Sequence, residues 1–306
     1  MKLFRDFTVL ASGQLASKAL GFLAFAWIAR ALDPVGYGAV EYVVGLTAFF
    51  ALLVDGGLGV VGTRRAVRNP DELAVLAHQI PVARLMMAAA FVPALAAILL
   101  VTVHASIPQG LVWLFAASLL TAPWRQQWLF QATGRMAAVA NAEIMRMAVF
   151  AFGVWIFVHA PSDILAVGVA EFCAVVAMTA LCIHVQHKSV TPFRLTGSFS
   201  GFGDLVKEGA AVGSTNFVWA LAQSAPLFLV ASISGGLETA WFAGAARIVG
   251  SLGQFGNLYH FNLYPSVSRA HALADGSLGR MLARSMRVTA WCGVFVALTL
   301  TVFAEP

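Results

Sequence analysis

Residues 7–29 read FTVLASGQLASKALGFLAFAWIA, an apolar run broken by a single charge, Lys18. As a helix rising 1.5 Å per residue it would reach about 35 Å, enough to cross a hydrocarbon core of about 30 Å. The run is too long for the apolar region of a cleaved signal peptide, about 7–15 residues, so it reads as a first membrane span. The same ruler applied outward finds eight more spans, at 37–62, 82–104, 111–130, 137–159, 164–186, 210–232, 240–263 and 288–304. Composition agrees. The chain of 306 residues is 60% hydrophobic and 11% charged, whereas soluble domains carry about 25% charge. So little charge cannot cover the surface of a soluble body. The expected fold is an all-α polytopic membrane protein with about nine transmembrane helices.

The net charge of +5 comes from 19 Lys+Arg against 14 Asp+Glu. With a cytoplasmic N-terminus, 15 of the 19 fall on the cytoplasmic side: Lys2, Arg5, Arg64, Arg65, Arg68, Arg84, Arg125, Arg135, Lys188, Arg194, Lys207, Arg269, Arg280, Arg284 and Arg287. Arg30 alone falls at an outer end, and Lys18, Arg146 and Arg247 lie inside spans. Positive charge accumulates on the cytoplasmic side of membrane proteins, so the expected orientation has the N-terminus in the cytoplasm. The outer loops are too short for an extracytoplasmic catalytic domain. Cys173, Cys182 and Cys292 sit in apolar runs and form neither a disulfide framework nor a zinc site. Trp113, Trp124, Trp128, Trp155 and Trp241 lie toward span ends, as interfacial anchors do. No phosphate-cradling glycine loop and no Ser/His/Asp set is present. The chain is therefore expected to be no enzyme, to need no cofactor or metal, and to bind no nucleic acid.

The longest polar stretch, 188–208, contains Lys188-Ser189-Val190-Thr191-Pro192 and Thr196-Gly197-Ser198-Phe199-Ser200-Gly201. It reads as a cytoplasmic linker between an N-terminal six-helix lobe, 1–187, and a partial C-terminal lobe of three helices, 209–306. Six spans are an even number, so both lobes begin on one side and form a parallel pseudo-repeat. Gly36-Tyr37-Gly38-Ala39-Val40-Glu41 opening span two echoes Trp241-Phe242-Ala243-Gly244-Ala245-Ala246 opening span eight. The second lobe is then half missing, and the chain is either a fragment or a shortened form.

Several segments carry a family likeness. Gly13-Gln14-Leu15-Ala16-Ser17-Lys18 is followed by Ala29-Arg30-Ala31-Leu32-Asp33-Pro34-Val35-Gly36-Tyr37-Gly38, then Asp55-Gly56-Gly57-Leu58-Gly59 and Arg64-Arg65-Ala66. Further on come Trp128-Leu129-Phe130-Gln131-Ala132-Thr133-Gly134-Arg135-Met136, Lys207-Glu208-Gly209, Phe242-Ala243-Gly244-Ala245-Ala246-Arg247-Ile248 and Tyr264-Pro265-Ser266-Val267-Ser268-Arg269. In this order they resemble the polysaccharide and O-antigen (Wzx-like) flippases of the multidrug/oligosaccharidyl-lipid/polysaccharide exporter superfamily. The resemblance covers nearly the whole chain, with two departures. Asp33 stands where the family usually has Gly, in what reads as an exposed turn. The chain also stops where family members continue to twelve or fourteen spans.

Intramembrane charges are the candidate site, because each costs about 2.5–3.5 kcal/mol at the bilayer centre and is held there by a cavity or a partner. Lys18 lies about 16 Å into span one; it either lines the path of an anionic headgroup or makes an interhelical hydrogen bond. Glu143 and Arg146 share a face of span five and either neutralise each other or open onto a cavity, where Arg146 meets a phosphate and Glu143 carries a coupling proton. Arg247 is a third inward cation. Glu171 has no basic neighbour in sequence, is read as protonated, and is the second candidate coupling carboxylate beside Glu143. Asp55, Gly56 and Gly57 read as a structural hinge, and Pro226, Pro93 and Pro123 as kinks.

The resemblance implies translocation of an undecaprenyl-pyrophosphate-linked oligosaccharide across the cytoplasmic (inner) membrane by alternating access, with membrane lipids, a polysaccharide polymerase and glycosyltransferases as partners. The alternatives are a cation-coupled multidrug exporter and a non-transporting structural membrane subunit.

Overall fold

The computed structural model describes residues 2–102, 108–190, 201–253 and 277–303. Within them every regular element is helical: α1 (Lys2–Ala31), α2 (Pro34–Asp55), α3 (Leu58–Arg68), α4 (Leu73–Thr102), α5 (Gln109–Leu119), α6 (Gln127–Ala132), α7 (Met136–Phe157), α8 (Ile164–Ser189), α9 (Phe202–Ile233), α10 (236–253) and α11 (Ser277–Phe303). Among the described residues, six segments are long and apolar enough to cross a membrane by length and composition: Pro34–Arg68, Pro70–Val101, Met136–Phe157, Pro161–Lys188, Phe202–Ile233 and Met281–Val302. The motif at 264–269, Arg194 and the predicted end of span eight at 254–263 lie outside the described residues.

Neighbouring pairs set the helix directions. Along α1 and α7, Gly13 abuts Ala140, Ser17 bonds to Glu143 and Gly21 abuts Met147, so the two helices run parallel. Gly110 against Leu165 and Gly168 against Leu111 make α5 and α8 parallel as well. Spans one and five, and spans four and six, must be parallel if each successive span crosses once.

Two of the expected spans are broken helices. α2 ends at Gly56 (φ +52°), whose N–H donates to the Leu52 carbonyl at 3.0 Å, and Gly57 (φ +73°) precedes α3. Both glycines occupy left-handed backbone that side chains disfavour. The fourth span is interrupted by the 3-10 turn Ala122–Trp124 around Pro123, between α5 and α6. Pro81 and Pro93 sit inside an unbroken α4, and Pro226 inside an unbroken α9, so the prolines expected to kink spans three and seven do not end their helices. Asp33 is more than an exposed turn residue. Its Oδ1 accepts the Gly36 N–H at 2.9 Å and caps α2, with Pro34 in the first turn.

The chain divides into two compact units, Met1–Ala246 and Arg247–Pro306. The boundary falls later than the 188–208 linker because α9 lies antiparallel along α2 and α3. Gly45 abuts Leu227, and a Cβ on Gly57 would stand 2.5 Å from the Gly209 carbonyl oxygen and 2.6 Å from the Gly213 nitrogen. Residues 202–208 of the expected linker are the first turns of α9.

The core of the first unit joins α1, α2, α4, α5, α7 and α8 through Ile28, Val43, Phe50, Leu95, Phe115, Phe150 and Val167. Outward-facing positions are also apolar, among them Phe152, Ile156 and Phe157 on α7. In the second unit, Trp291 and Phe295 of α11 are 72% and 71% exposed. Apolar surface on this scale is stable in lipid and not in water, and the chain is a multi-pass membrane protein.

Candidate functional site

The parallel packing of α1 on α7, with α8 beside α7, brings the charges of three spans together. Ser17 donates to the Glu143 carbonyl at 3.3 Å. One turn on, Arg146 donates through Nη1 to both Glu171 oxygens, at 2.9 and 3.3 Å. Its Nε stands 3.9 Å from Glu143 Oε2. Glu143 is held instead by Gln127, whose Nε2 donates to Oε1 at 2.6 Å. The main partner of Arg146 is therefore Glu171 on the next helix, not the carboxylate three residues before it. Glu171, which sequence left without a basic neighbour, has one. The Arg146 and Glu171 side chains are only 21% and 17% exposed, so each compensates the other in a poorly hydrated setting.

A second pair lies alongside. Arg84 of α4, buried, donates through Nη2 to Asp55 Oδ1 at the end of α2, and through Nη1 to the Arg125 carbonyl at 3.2 Å. The Arg125 guanidinium is within electrostatic range of Arg146, Arg84, Glu171 and Glu143. Three guanidinium groups and three carboxylates thus share one region of the first unit, and their formal charges cancel. Arg84 and Arg125 were counted among the cytoplasmic arginines, but both contribute to this network inside the bundle. Trp128, expected at the interface, is buried, and its indole N–H donates to Gln126 Oε1.

Lys18 differs from these groups. It follows Ser17 directly and so lies level with Glu143, roughly 20 Å from either end of α1. Its side chain is exposed, and it makes no hydrogen bond or ion pair among the described residues. Arg247 is half-buried on α10 in the second unit, and the network lies wholly in the first. Asp55, Gly56 and Gly57 join the network to the α2–α3 break, while Pro226 lies exposed on α9.

At the other end of α3, Arg64 Nη2 and Arg65 Nε both engage Glu208, the latter at 2.7 Å. These residues belong to two of the motifs that carry the family likeness, and they meet across α3 and α9. Sequence reasoning missed Arg84, Arg125 and Gln127 as network members and Glu208 as the partner of Arg64 and Arg65. A legible signal existed for one contact only: Gly209 and Gly213 have the four-residue spacing at which small side chains let helices approach closely.

Arg146 spans two carboxylates at unequal distances, so protonating one carboxylate, or presenting an anion in its place, changes which group holds the guanidinium.

Solved structures share the fold. A multidrug resistance MATE family transporter of the MOP superfamily, in an outward-facing conformation, is 14% identical with TM-score 0.60, the match covering 98% of this chain and 72% of that one. A MOP superfamily transporter from Pyrococcus furiosus, described as having a binding pocket of reverse polarity that suggests a different function, gives the same identity, score and coverage. A MATE in the straight conformation gives TM-score 0.62 at 14% identity, covering 99% and 72%. No curated protein matches the sequence. The fold is one that these solved transporters share. Residues 3–271 match the model of the polysaccharide biosynthesis protein family, and the chain belongs to that family.

Proposed function

We propose that the chain translocates an undecaprenyl-pyrophosphate-linked oligosaccharide across the cytoplasmic membrane by alternating access. The carrying observation is the contrast between the network and Lys18. Arg84, Arg125 and Arg146 are offset by Asp55, Glu143 and Glu171, whereas Lys18 lies midway along α1, exposed and without a partner among the described residues. An unpaired cation at that depth is costly in lipid and favourable beside a pyrophosphate, where charges attract strongly in a low-dielectric setting. Membership of the polysaccharide biosynthesis protein family supports the sugar-linked substrate.

Lys18 is the first contact for the pyrophosphate. Arg146 is a second cation, released when Glu171 or Glu143 takes up a coupling proton. The N-terminus is cytoplasmic, on the strength of the basic residues sorted by span. Polymerase and glycosyltransferases are the functional partners, and no bond is made or broken by this chain. Likeness to a multidrug resistance transporter supports a second reading, cation-coupled drug export.

The test is translocation of fluorescent lipid-linked oligosaccharide in proteoliposomes containing the full-length protein, wild type against Lys18→Ala. Loss of transport with an unchanged melting temperature supports the reading. Undiminished transport removes Lys18 from the pathway, and export of a cationic dye without lipid translocation favours the second reading.

A further inference from the structure

The outward face of α3 has a composition that neither core packing nor transport explains. Leu58, Val61, Gly62 and Ala66 are buried against the bundle. Val60, Thr63, Arg64 and Val67 recur at i, i+3, i+4 and i+7 and so form one stripe on the opposite side. Val60 and Val67 are 53% and 62% exposed. With Arg68 and Gln131 they line an open depression of about 450 Å³, in which valines alternate with cationic and amide groups.

We propose that this groove binds the phosphate headgroup of an anionic phospholipid. Arg68 is exposed and makes no hydrogen bond or ion pair among the described residues. Arg64 is shared with Glu208, which also holds Arg65. Three arginines against one carboxylate leave the cluster positive. A lipid phosphate accepts charge-assisted hydrogen bonds from Arg64 and Arg68, and the exposed Gln131 amide is a further donor. The glycerol and upper acyl carbons lie over Val60 and Val67, surface that a free anion would leave bare. Glu208 is a built-in competitor: its carboxylate occupies the guanidinium that a phosphate would take, so lipid binding draws Arg64 away from the contact joining α3 to α9. The site requires only that the chain be in a membrane, and it stands or falls independently of the transported substrate.

Native mass spectrometry of the full-length protein, titrated with phosphatidylglycerol or phosphatidylcholine, tests this. Phosphatidylglycerol is expected to bind more tightly. Arg68→Gln is expected to weaken it about fivefold, the effect of one basic residue near an anionic surface, and Val67→Ser is expected to weaken it as well. Glu208→Gln is expected to strengthen it, while Glu238→Gln, the same change of charge at an exposed position on α10, leaves it unchanged. Equal binding of the two lipids, or Arg68→Gln and Val67→Ser both matching wild type, overturns the site. Displacement by inorganic phosphate with Val67→Ser silent overturns the lipid assignment in favour of a simple anion site. Glu208→Gln binding no better than Glu238→Gln overturns the competition.

Discussion

Arg146 is held by two carboxylates of unequal closeness, and its energetics follow from that asymmetry. Glu171→Gln removes the charge partner at 2.9 Å and leaves Glu143 at 3.9 Å. Unfolding by steric trapping in bicelles is expected to show a loss of about 2 kcal/mol, the scale of a hydrogen bond to a charged group. Adding Arg146→Gln is expected to restore part of it, because the uncompensated cation is then gone. Strict additivity of the two changes would show that the groups do not interact. Asp33→Ala removes the cap at the start of α2 and is expected to cost about 1 kcal/mol in the same assay. A variant as stable as wild type would mean that the Gly36 N–H finds another acceptor. Glu143 and Arg146 share a face by spacing alone, so their proximity was legible in sequence. The closer Arg146–Glu171 pair was not, because it depends on how α7 packs against α8, and no local pattern records that.

Elements were more legible than contacts, and breaks more legible where glycine or proline removed a backbone option. Gly56-Gly57 marked the break between α2 and α3, and Pro123 marked the one between α5 and α6. Pro93 and Pro226 carried the same signal without ending their helices, since neighbouring helices and side chains can compensate for one missing N–H. Nothing local showed that the α2–α3 break faces Gly209 and Gly213. At Gly57 both left-handed backbone and the α9 backbone oppose a side chain. Gly57→Ala is expected to lower stability by about 2 kcal/mol or more. Gly244→Ala, where a Cβ meets nothing within 4 Å, is expected to be neutral or to stabilise α10 by up to about 1 kcal/mol. Thermal melts that rank the two variants equally would contradict the close packing of α9 on α2–α3.

For the whole molecule, apolar spans and sorted charges were enough to predict a helical membrane protein, and motif order was enough to point to the family. The boundary between compact units was not legible. Polar composition marks where a chain leaves the membrane, but the unit boundary depends on what α9 packs against. The site was half legible for the same reason. Lys18, Glu143, Arg146 and Glu171 were found as charges in apolar runs, while Arg84 and Arg125 looked like part of the basic cytoplasmic face until packing drew them inside.

In the proposed function Lys18 is the first substrate contact, and the paired Arg146 joins it when a coupling proton releases it. The most direct test of this account is lipid-linked oligosaccharide translocation in proteoliposomes by the full-length protein and its Lys18→Ala variant, with melting temperature followed in parallel. The account predicts protein-dependent translocation that slows about tenfold in Lys18→Ala, the loss of one charged contact of about 1.5 kcal/mol, at unchanged melting temperature. Translocation at the wild-type rate by the variant, or none by the wild type, would contradict it.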